Sequence, residues 1–521
     1  MTVESGTRAR DVVIVGGGHN GLAAAAYLAQ AGLSVTVLER LDEVGGAAVS
    51  TQAFAGIDAR LSRYSYLVSL LPEQIIRDLR LDIRLARRRY SSYTPRPGED
   101  TGLLVDRVDS AASALGADAA GWLGLYEGTS RLARALFPTV TSPLLTRAEA
   151  RRAVGDDDAW GAFIDRPVGE TIQNALSDDL ARGVALTDAL IGTFAPNVDP
   201  SLAANKCFLY HVIGGGTGDW DVPIGGMGAV SGELRRAALR AGAELLTGAE
   251  ATAINPDGSV RARIGDAEVG FQARWVLAGC SPQELARLLG DEPGVRGEGA
   301  QVKVNLLLRR LPRLRDARVD PRAAFGGTFH VNETWSQLDA AYETAAGGSI
   351  PAPLPLEIYC HSLTDPTILS EELQAAGAQT ITVFGLHVPH RLSERPTYAG
   401  GIGADRYRAA LQEEVLASLD SVLAEPIEEL LLTDGDGRPA IETKTTIDLE
   451  HALRLPGGNI FHGPLAWPWA EDDEALDTPA DRWGVATPYA RILMCGSGAR
   501  RGGAVSAIAG HNAAMAVLES L

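Results

Sequence analysis

The period of apolar and polar positions changes twice within the first forty residues. "DVVIVG" (residues 11–16) is a short valine- and isoleucine-rich run, as a buried parallel strand requires. "LAAAAYLAQAG" (22–32) reads as an alanine-rich helix that stops at Gly32. "SVTVLE" (34–39) reads as a second buried strand. Further on, residues 223–254 read as loop, amphipathic helix and strand, and residues 258–282 as a hairpin running into a buried strand. The chain closes with "ARILMCGSGARRGGAVSAIAGHNAAMAVLESL", which predicts a strand over 492–495, a turn at Gly496-x-Gly498, a glycine pair and a final helix.

Between these segments the pattern differs. Residues 91–211 are mainly helical, with i, i+3, i+4 apolar spacing in "DSAASALGADAAGWLGLYEGTSRLARAL" and "VGETIQNAL". Residues 301–440 carry strand-like runs instead: "VKVNLLLRR", "GGTFHVN", "LPLEIYCHS" and "TITVFGLHV". A chain of 521 residues exceeds one ordinary core. The predicted architecture is α/β and α+β. A Rossmann-type nucleotide domain from residues 1–90, 212–300 and 441–521 is interleaved with a mixed-sheet substrate domain and helical cap from 91–211 and 301–440.

The turn between the first strand and helix carries the first candidate chemistry. Gly16, Gly18 and Gly21 complete G-x-G-x-x-G. The first glycine permits the tight turn, the second admits a pyrophosphate to the backbone, and the third lets helix and strand pack closely. The helix N-terminus offers amides to phosphate. Glu39, about 20 residues on, is placed to accept hydrogen bonds from a ribose. Together these predict adenine dinucleotide binding, without deciding between NAD and FAD.

Composition narrows the setting. A formal net charge of −19 and the lack of a basic stripe argue against a nucleic-acid partner. The arginine-rich "RLARRRY" (84–90) reads as a solvated face. Cys207, Cys280, Cys360 and Cys495 form no C-x-x-C pair, which excludes a dithiol relay and a zinc ribbon and fits a reducing compartment. No metal site is expected. The first residues lack an apolar signal core and no apolar run is long enough to span a bilayer, so a cytoplasmic location is expected. "YSYLVSLLPEQIIRDL" (64–79) reads as a helix, either of the core or one touching a membrane surface.

Gly45 and Gly46 stand just past the acid in "ERLDEVGGAAVS", and this E-x5-GG extension resembles the FAD-containing amine oxidase and phytoene desaturase superfamily. With "GDWDVPIGGMGAVSGELRRAA", "IYCHSLTDPTI", "GGNIFHGPL" and the "LMCGSG…GGAV…AGHNAA" ending, nearly the whole chain is similar to the phytoene desaturase-like flavoproteins. In particular it resembles the branch of pyridine nucleotide-disulfide oxidoreductase domain-containing protein 2. That resemblance implies a bound FAD held by Gly16, Gly18, Gly21, Glu39, Arg40, Gly45, Gly46, Ala251, Gly496, Gly503, Ala504 and Val505. It implies a small, apolar, carotenoid- or isoprenoid-like substrate, desaturated by hydride transfer to flavin N5, with oxygen or a quinone taking the electrons. An amine-oxidase-like, saturating or isomerising enzyme on a smaller molecule is the alternative, and a flavin-binding scaffold with little turnover is a third.

Flavin supplies the redox chemistry, so the protein's own contribution is expected to be proton handling and positioning. His211 and His462 are the candidate proton-handling residues. His19 is expected to be packed beside the phosphate turn, and His511 to support the flavin region. Met227, Trp467 and Trp469 are candidates for the pocket wall, and Lys303 for a lysine near flavin N5. Two departures from the family pattern lie near the expected flavin ring. Arg500 and Arg501 replace a His-Pro-like pair, and "AWPWAEDDEALDTPADRW" lacks the usual arginine-proline step.

Overall fold

The computed structural model describes residues 7–106, 112–398 and 400–521. Its first sheet is built around Arg8–Val15, whose Val12, Val13 and Ile14 are completely buried. Val35–Leu38 lies parallel on one side and Ala267–Ala278 parallel on the other, so Val13 sits opposite Thr36 and Val276. Glu244–Leu246 extends the sheet beyond Val35–Leu38, and Ile492–Met494 pairs in parallel with the end of Ala267–Ala278. The hairpin Ala249–Ile254 and Ser259–Ile264 runs antiparallel to the start of that long strand.

Helix His19–Gln30 packs between Met227–Arg240 and the closing helix Ile508–Glu519. Its alanines let the backbones approach closely. A β-carbon on Gly510 would lie 1.9 Å from the Asn20 carbonyl oxygen, so a larger residue there would force the two termini apart.

The second sheet has seven strands. In spatial order they are Ile441–Lys444, Val302–Leu308, Gln379–Gly385, Leu356–Tyr359, Thr328–Val331, Tyr90–Pro95 and Gly102–Asp106. All neighbours are antiparallel except Thr328–Val331 with Tyr90–Pro95, which makes the sheet mixed. Val302–Leu308 is buried along its full length because strands flank it and helix Gly401–Asp420 contacts it. One expected boundary shifts by one element: Ile441–Lys444, assigned by the sequence to the nucleotide domain, pairs with Val302–Leu308. At the boundary expected after residue 90, Tyr90–Pro95 joins the second sheet.

Helices Ala119–Leu136, Arg147–Val154, Val168–Ala175, Asp179–Leu186 and Ala203–Val212 form the helical layer. The start of the first stretch read as helical, residues 109–111, lies outside the described residues. Among the described residues no helix is long and apolar enough to cross a membrane.

The expected helix over 64–79 is reduced to Glu73–Asp78. Pro72 disfavours helical backbone at the residue before it, and upstream Val68 pairs by a bridge with Asp221. Its apolar spacing serves burial, because Leu67, Leu70, Leu71, Ile75 and Leu79 all lie in the interior. The arginine run is not uniformly solvated either. Arg88 is buried, donating to the Trp220 carbonyl and to Thr328 Oγ1.

Candidate cofactor cleft and adjoining chamber

The cleft opens where the first sheet's strands end. Gly16 takes φ +105°, a conformation that L side chains rarely adopt. A β-carbon on Gly21 would stand 2.2 Å from the Gly16 carbonyl oxygen, so the helix can sit this close to the turn only with glycine there. Gly18 is the N-cap of His19–Gln30, and a β-carbon on it would meet only Gly46 Cα, at 4.0 Å. Among the described residues no side chain caps this helix and no acid occupies its first turn, leaving its amides and positive dipole end for an anion.

Glu39 ends the second strand. Its Oε2 accepts the Gly17 N–H at 2.8 Å and its Oε1 accepts the Leu41 N–H at 2.8 Å. Each oxygen keeps a further lone pair for a donor in the cleft. The Gly45 N–H donates to the Gly17 carbonyl at 2.8 Å, which ties the E-x5-GG segment to the phosphate turn.

The other end of the chain meets the same turn. The Gly496 N–H donates to the Ala278 carbonyl at 3.0 Å, and a β-carbon on Gly496 would lie 2.6 Å from the Gly279 oxygen. His19 Nε2 contacts the Ala504 carbonyl at 3.1 Å, and since that oxygen can only accept, Nε2 carries the proton.

One cleft, enclosing about 1730 Å³ of space that includes open solvent, gathers most of the predicted residues. Gly16, Gly18, Gly21, Glu39 and Arg40 line one end with Ala251. Gly46, Gly496, Ala504 and Val505 line the remainder together with His211 and His462. Gly45 and Gly503 stand off this wall, Gly45 on the phosphate turn and Gly503 against Leu465. Two buried polar atoms belonging to wall residues, Asn20 Oδ1 and His462 Nδ1, have no partner. A polar ligand in the cleft is the physical way to satisfy them.

His211 lies on helix Ala203–Val212 with Nδ1 2.8 Å from the Cys207 carbonyl, so Nδ1 holds the proton and Nε2 is the free acceptor. Its ring stacks on Trp220 at 5.1 Å, and burial holds it below the usual histidine range despite nearby Asp188. Burial pushes His462 and His19 down to about 4, and for His462 the neighbouring His19 adds to this. Both rings are therefore neutral at neutral pH.

Lys303 stands behind the wall. Its ammonium donates to the Ser62 carbonyl at 2.7 Å and the Ser65 carbonyl at 3.2 Å, and lies 5.3 Å from the Phe384 ring centre and 5.9 Å from that of Tyr66. Burial pushes it down to about 7. Tyr66 and Phe384 both face the cleft.

Several expected wall residues are elsewhere. Met227 is completely buried in the core beneath the first sheet. Trp467 and Trp469 stack on one another at 5.1 Å within the helical core beside Trp160. Arg501 points away from the cleft and donates to the carbonyls of Thr139, Ser142 and Trp483, while Arg500 pairs with Glu474. His511 is packed edge-on against Tyr27. All four cysteines are free, and burial pushes Cys207 and Cys280 up to about 12, so neither is a thiolate.

A second cavity continues from the cleft past Tyr66, Leu67, Ile191, His211 and Trp220, which face both spaces. Its far wall was not foreseen from the sequence: Arg88, Asp188, His330, Glu357 and Tyr359. Buried Glu333 belongs to the same group. Thr187 Oγ1 is 2.8 Å from Glu333 Oε2 and 3.3 Å from Glu357 Oε1, and the Tyr359 hydroxyl donates to Glu357 Oε2 at 2.9 Å. Burial and the neighbouring Asp188 push Glu357 up to about 8, and burial with Glu357 raises Glu333. His330 falls to about 3 through burial and the Arg88 charge.

This sheet order, glycine turn and two-ended cleft define a Rossmann-type dinucleotide-binding protein. Residues 14–72 match the NAD(P)-binding Rossmann-like domain family. The chain belongs to an FAD-dependent oxidoreductase family that it shares with uncharacterized proteins found in mycobacteria. The uncharacterized protein Rv0897c of Mycobacterium tuberculosis is 56% identical over 98% of this chain and 97% of its own. The pyridine nucleotide-disulfide oxidoreductase domain-containing protein 2 of Mus musculus is 28% identical over 98% of this chain and 94% of its own. Among solved structures, a putrescine oxidase variant superposes with a TM-score of 0.57 at 17% identity, covering 99% of this chain and 100% of that one.

Proposed function

We propose that the chain is an FAD-dependent oxidoreductase whose substrate is a small polar molecule, of the amine or hydroxy-compound class, oxidised at a carbon that bears hydrogen. The single observation that carries the substrate reading is the wall of the second cavity. On it, among apolar and aromatic side chains such as Val105, Trp122 and Val184, stand Arg88, Asp188, His330 and Glu357. Burying a long polyene against these groups would strip them of solvent without compensating bonds, at a cost of about 1–3 kcal/mol for each polar group left unpaired.

The cofactor reading rests on the cleft. Gly16 to Gly21 and the helix behind them suit the pyrophosphate, Glu39 the ribose, Ala251 the adenine, and Ala504 and Val505 the flavin end. Bound FAD supplies the two-electron acceptor. The protein's residues do the rest. The throat of Tyr66, Leu67, Ile191 and Trp220 orients the substrate and excludes water. His211, neutral with Nε2 free to accept, takes a proton. Oxygen or a quinone would be the terminal electron acceptor.

Anaerobic mixing tests this. Flavin absorbance should bleach with short primary amines or hydroxy compounds. Bleaching by a detergent-solubilised polyene alone would overturn the substrate class. A colourless protein that takes up no FAD on reconstitution would overturn the cofactor reading.

A further inference from the structure

We propose that His330, Glu333 and Glu357, where the second sheet borders the chamber, bind a divalent transition-metal ion of the zinc type. The proposal rests on the chamber residues alone, so its failure leaves the flavin reading standing.

The three side chains come together through the sheet. His330 and Glu357 are direct cross-strand partners on Thr328–Val331 and Leu356–Tyr359, and Glu333 follows His330 by three residues. One ligand atom from each lies within 4.8 Å of the other two, and His330 Nδ1 is 3.7 Å from Glu333 Oε2. Zinc bound to imidazole nitrogen and carboxylate oxygen at about 2.0–2.2 Å spaces its ligands by roughly 3.3 Å, so small carboxylate rotations close the site. One nitrogen and two carboxylates form a donor set that zinc accepts.

Two further observations point to a ligand. His330 Nδ1 and Glu333 Oε1 have no hydrogen-bond partner, although the two side chains are 4% and 0% exposed. Thr187 has a single hydroxyl proton yet lies 2.8 Å from Glu333 Oε2 and 3.3 Å from Glu357 Oε1, so it serves one carboxylate and leaves the other oxygen without a donor. An organic ammonium entering from the chamber meets His330 and Glu357 on the wall, but Glu333 stands behind that wall, within reach of a bare ion only.

The test is calorimetric titration of the flavin-loaded protein, stripped with EDTA, using zinc chloride, followed by elemental analysis after dialysis. The expected result is close to one zinc per chain. Glu333→Gln and Glu357→Gln should each weaken binding by at least the 10–100-fold typical of losing even an outer-shell partner. Magnesium, which demands octahedral oxygen ligation, should not compete. Absence of zinc uptake by the wild type overturns the proposal. So does unchanged uptake in both variants, which would assign the zinc to thiols such as Cys280. Stabilisation of the wild type by butylammonium and not by zinc likewise overturns it, making the cluster an organic-cation subsite. If one variant fails to fold, judged by flavin content and circular dichroism, the other variant and the wild-type stoichiometry decide.

Discussion

Lys303 gives a quantitative test of the wall behind the cleft. Its ammonium is buried, held by two carbonyls and two aromatic faces, and titrates at about 7 instead of its ordinary 10.5. The dominant cause is burial, which disfavours the charged form, with Glu442 offsetting it in part. Because a lysine's folded value is depressed here, the charged form costs stability at low pH. The full cost is present below pH 7, and it fades as the pH rises from 7 to 10.5, where the unfolded chain binds more protons than the folded one. A shift of 3.5 units (10.5 minus 7) at about 1.36 kcal/mol per unit gives a cost of about 5 kcal/mol at low pH. Between pH 6 and pH 9 that cost falls to about 2 kcal/mol, a change of roughly 2.7 kcal/mol. Lys303→Met removes the titration while filling similar space. Denaturant midpoints of wild type and variant, each loaded with FAD, should therefore diverge with pH. The wild type should gain about 2–3 kcal/mol on the variant from pH 6 to pH 9. Parallel pH profiles would refute the reasoning, since they would mean that this lysine keeps an ordinary affinity for its proton.

Two other substitutions probe the junctions. Gly21→Ala places a β-carbon 2.2 Å from the Gly16 oxygen, so the helix must retreat by roughly 1 Å. We expect a loss of about 1–3 kcal/mol and little retained FAD, read by absorbance after gel filtration; full flavin occupancy would count against the turn as the phosphate site. Arg501→Met deprives the carbonyls of Thr139, Ser142 and Trp483 of their buried donor. Leaving these carbonyls buried and unpaired should cost about 1–3 kcal/mol for each that finds no other donor, seen as a lower melting temperature, and an unchanged melting temperature would contradict its role as a clamp.

The nucleotide turn was legible in the sequence because its information is local. Within thirty residues the strand period, the glycine spacing, the helix and Glu39 all constrain one another. The C-terminal strand and turn were legible for the same reason. Misreadings arose where spacing was right but a competing feature decided. Apolar spacing over 64–79 looks helical, but the backbone restriction before Pro72 and the bridge from Val68 to Asp221 convert it to a buried, mostly irregular segment. The pair Arg500 and Arg501 looked flavin-proximal by position, yet one residue's turn in a tight loop, with Arg501 at φ +65°, sends that side chain into the helical layer instead.

The charged end of the chamber was not legible because register assembles it. Nothing in "GGTFHVN" or "LPLEIYCHS" alone says that His330 faces Glu357, since a shift of one residue would turn either side chain to the opposite face. A signal was nevertheless present. Glu357 interrupts an otherwise apolar run, Leu356 to Ile358, in a strand whose four residues are all buried. A carboxylate at such a position is too costly to retain without a partner, which makes it a marker for a counter-charge, a shared proton or an ion. Glu333 lies two residues past the end of its strand, is likewise buried, and converges on the same point. Two such interruptions in neighbouring strands of one sheet constrain each other: whichever cation or proton satisfies one must also satisfy the other.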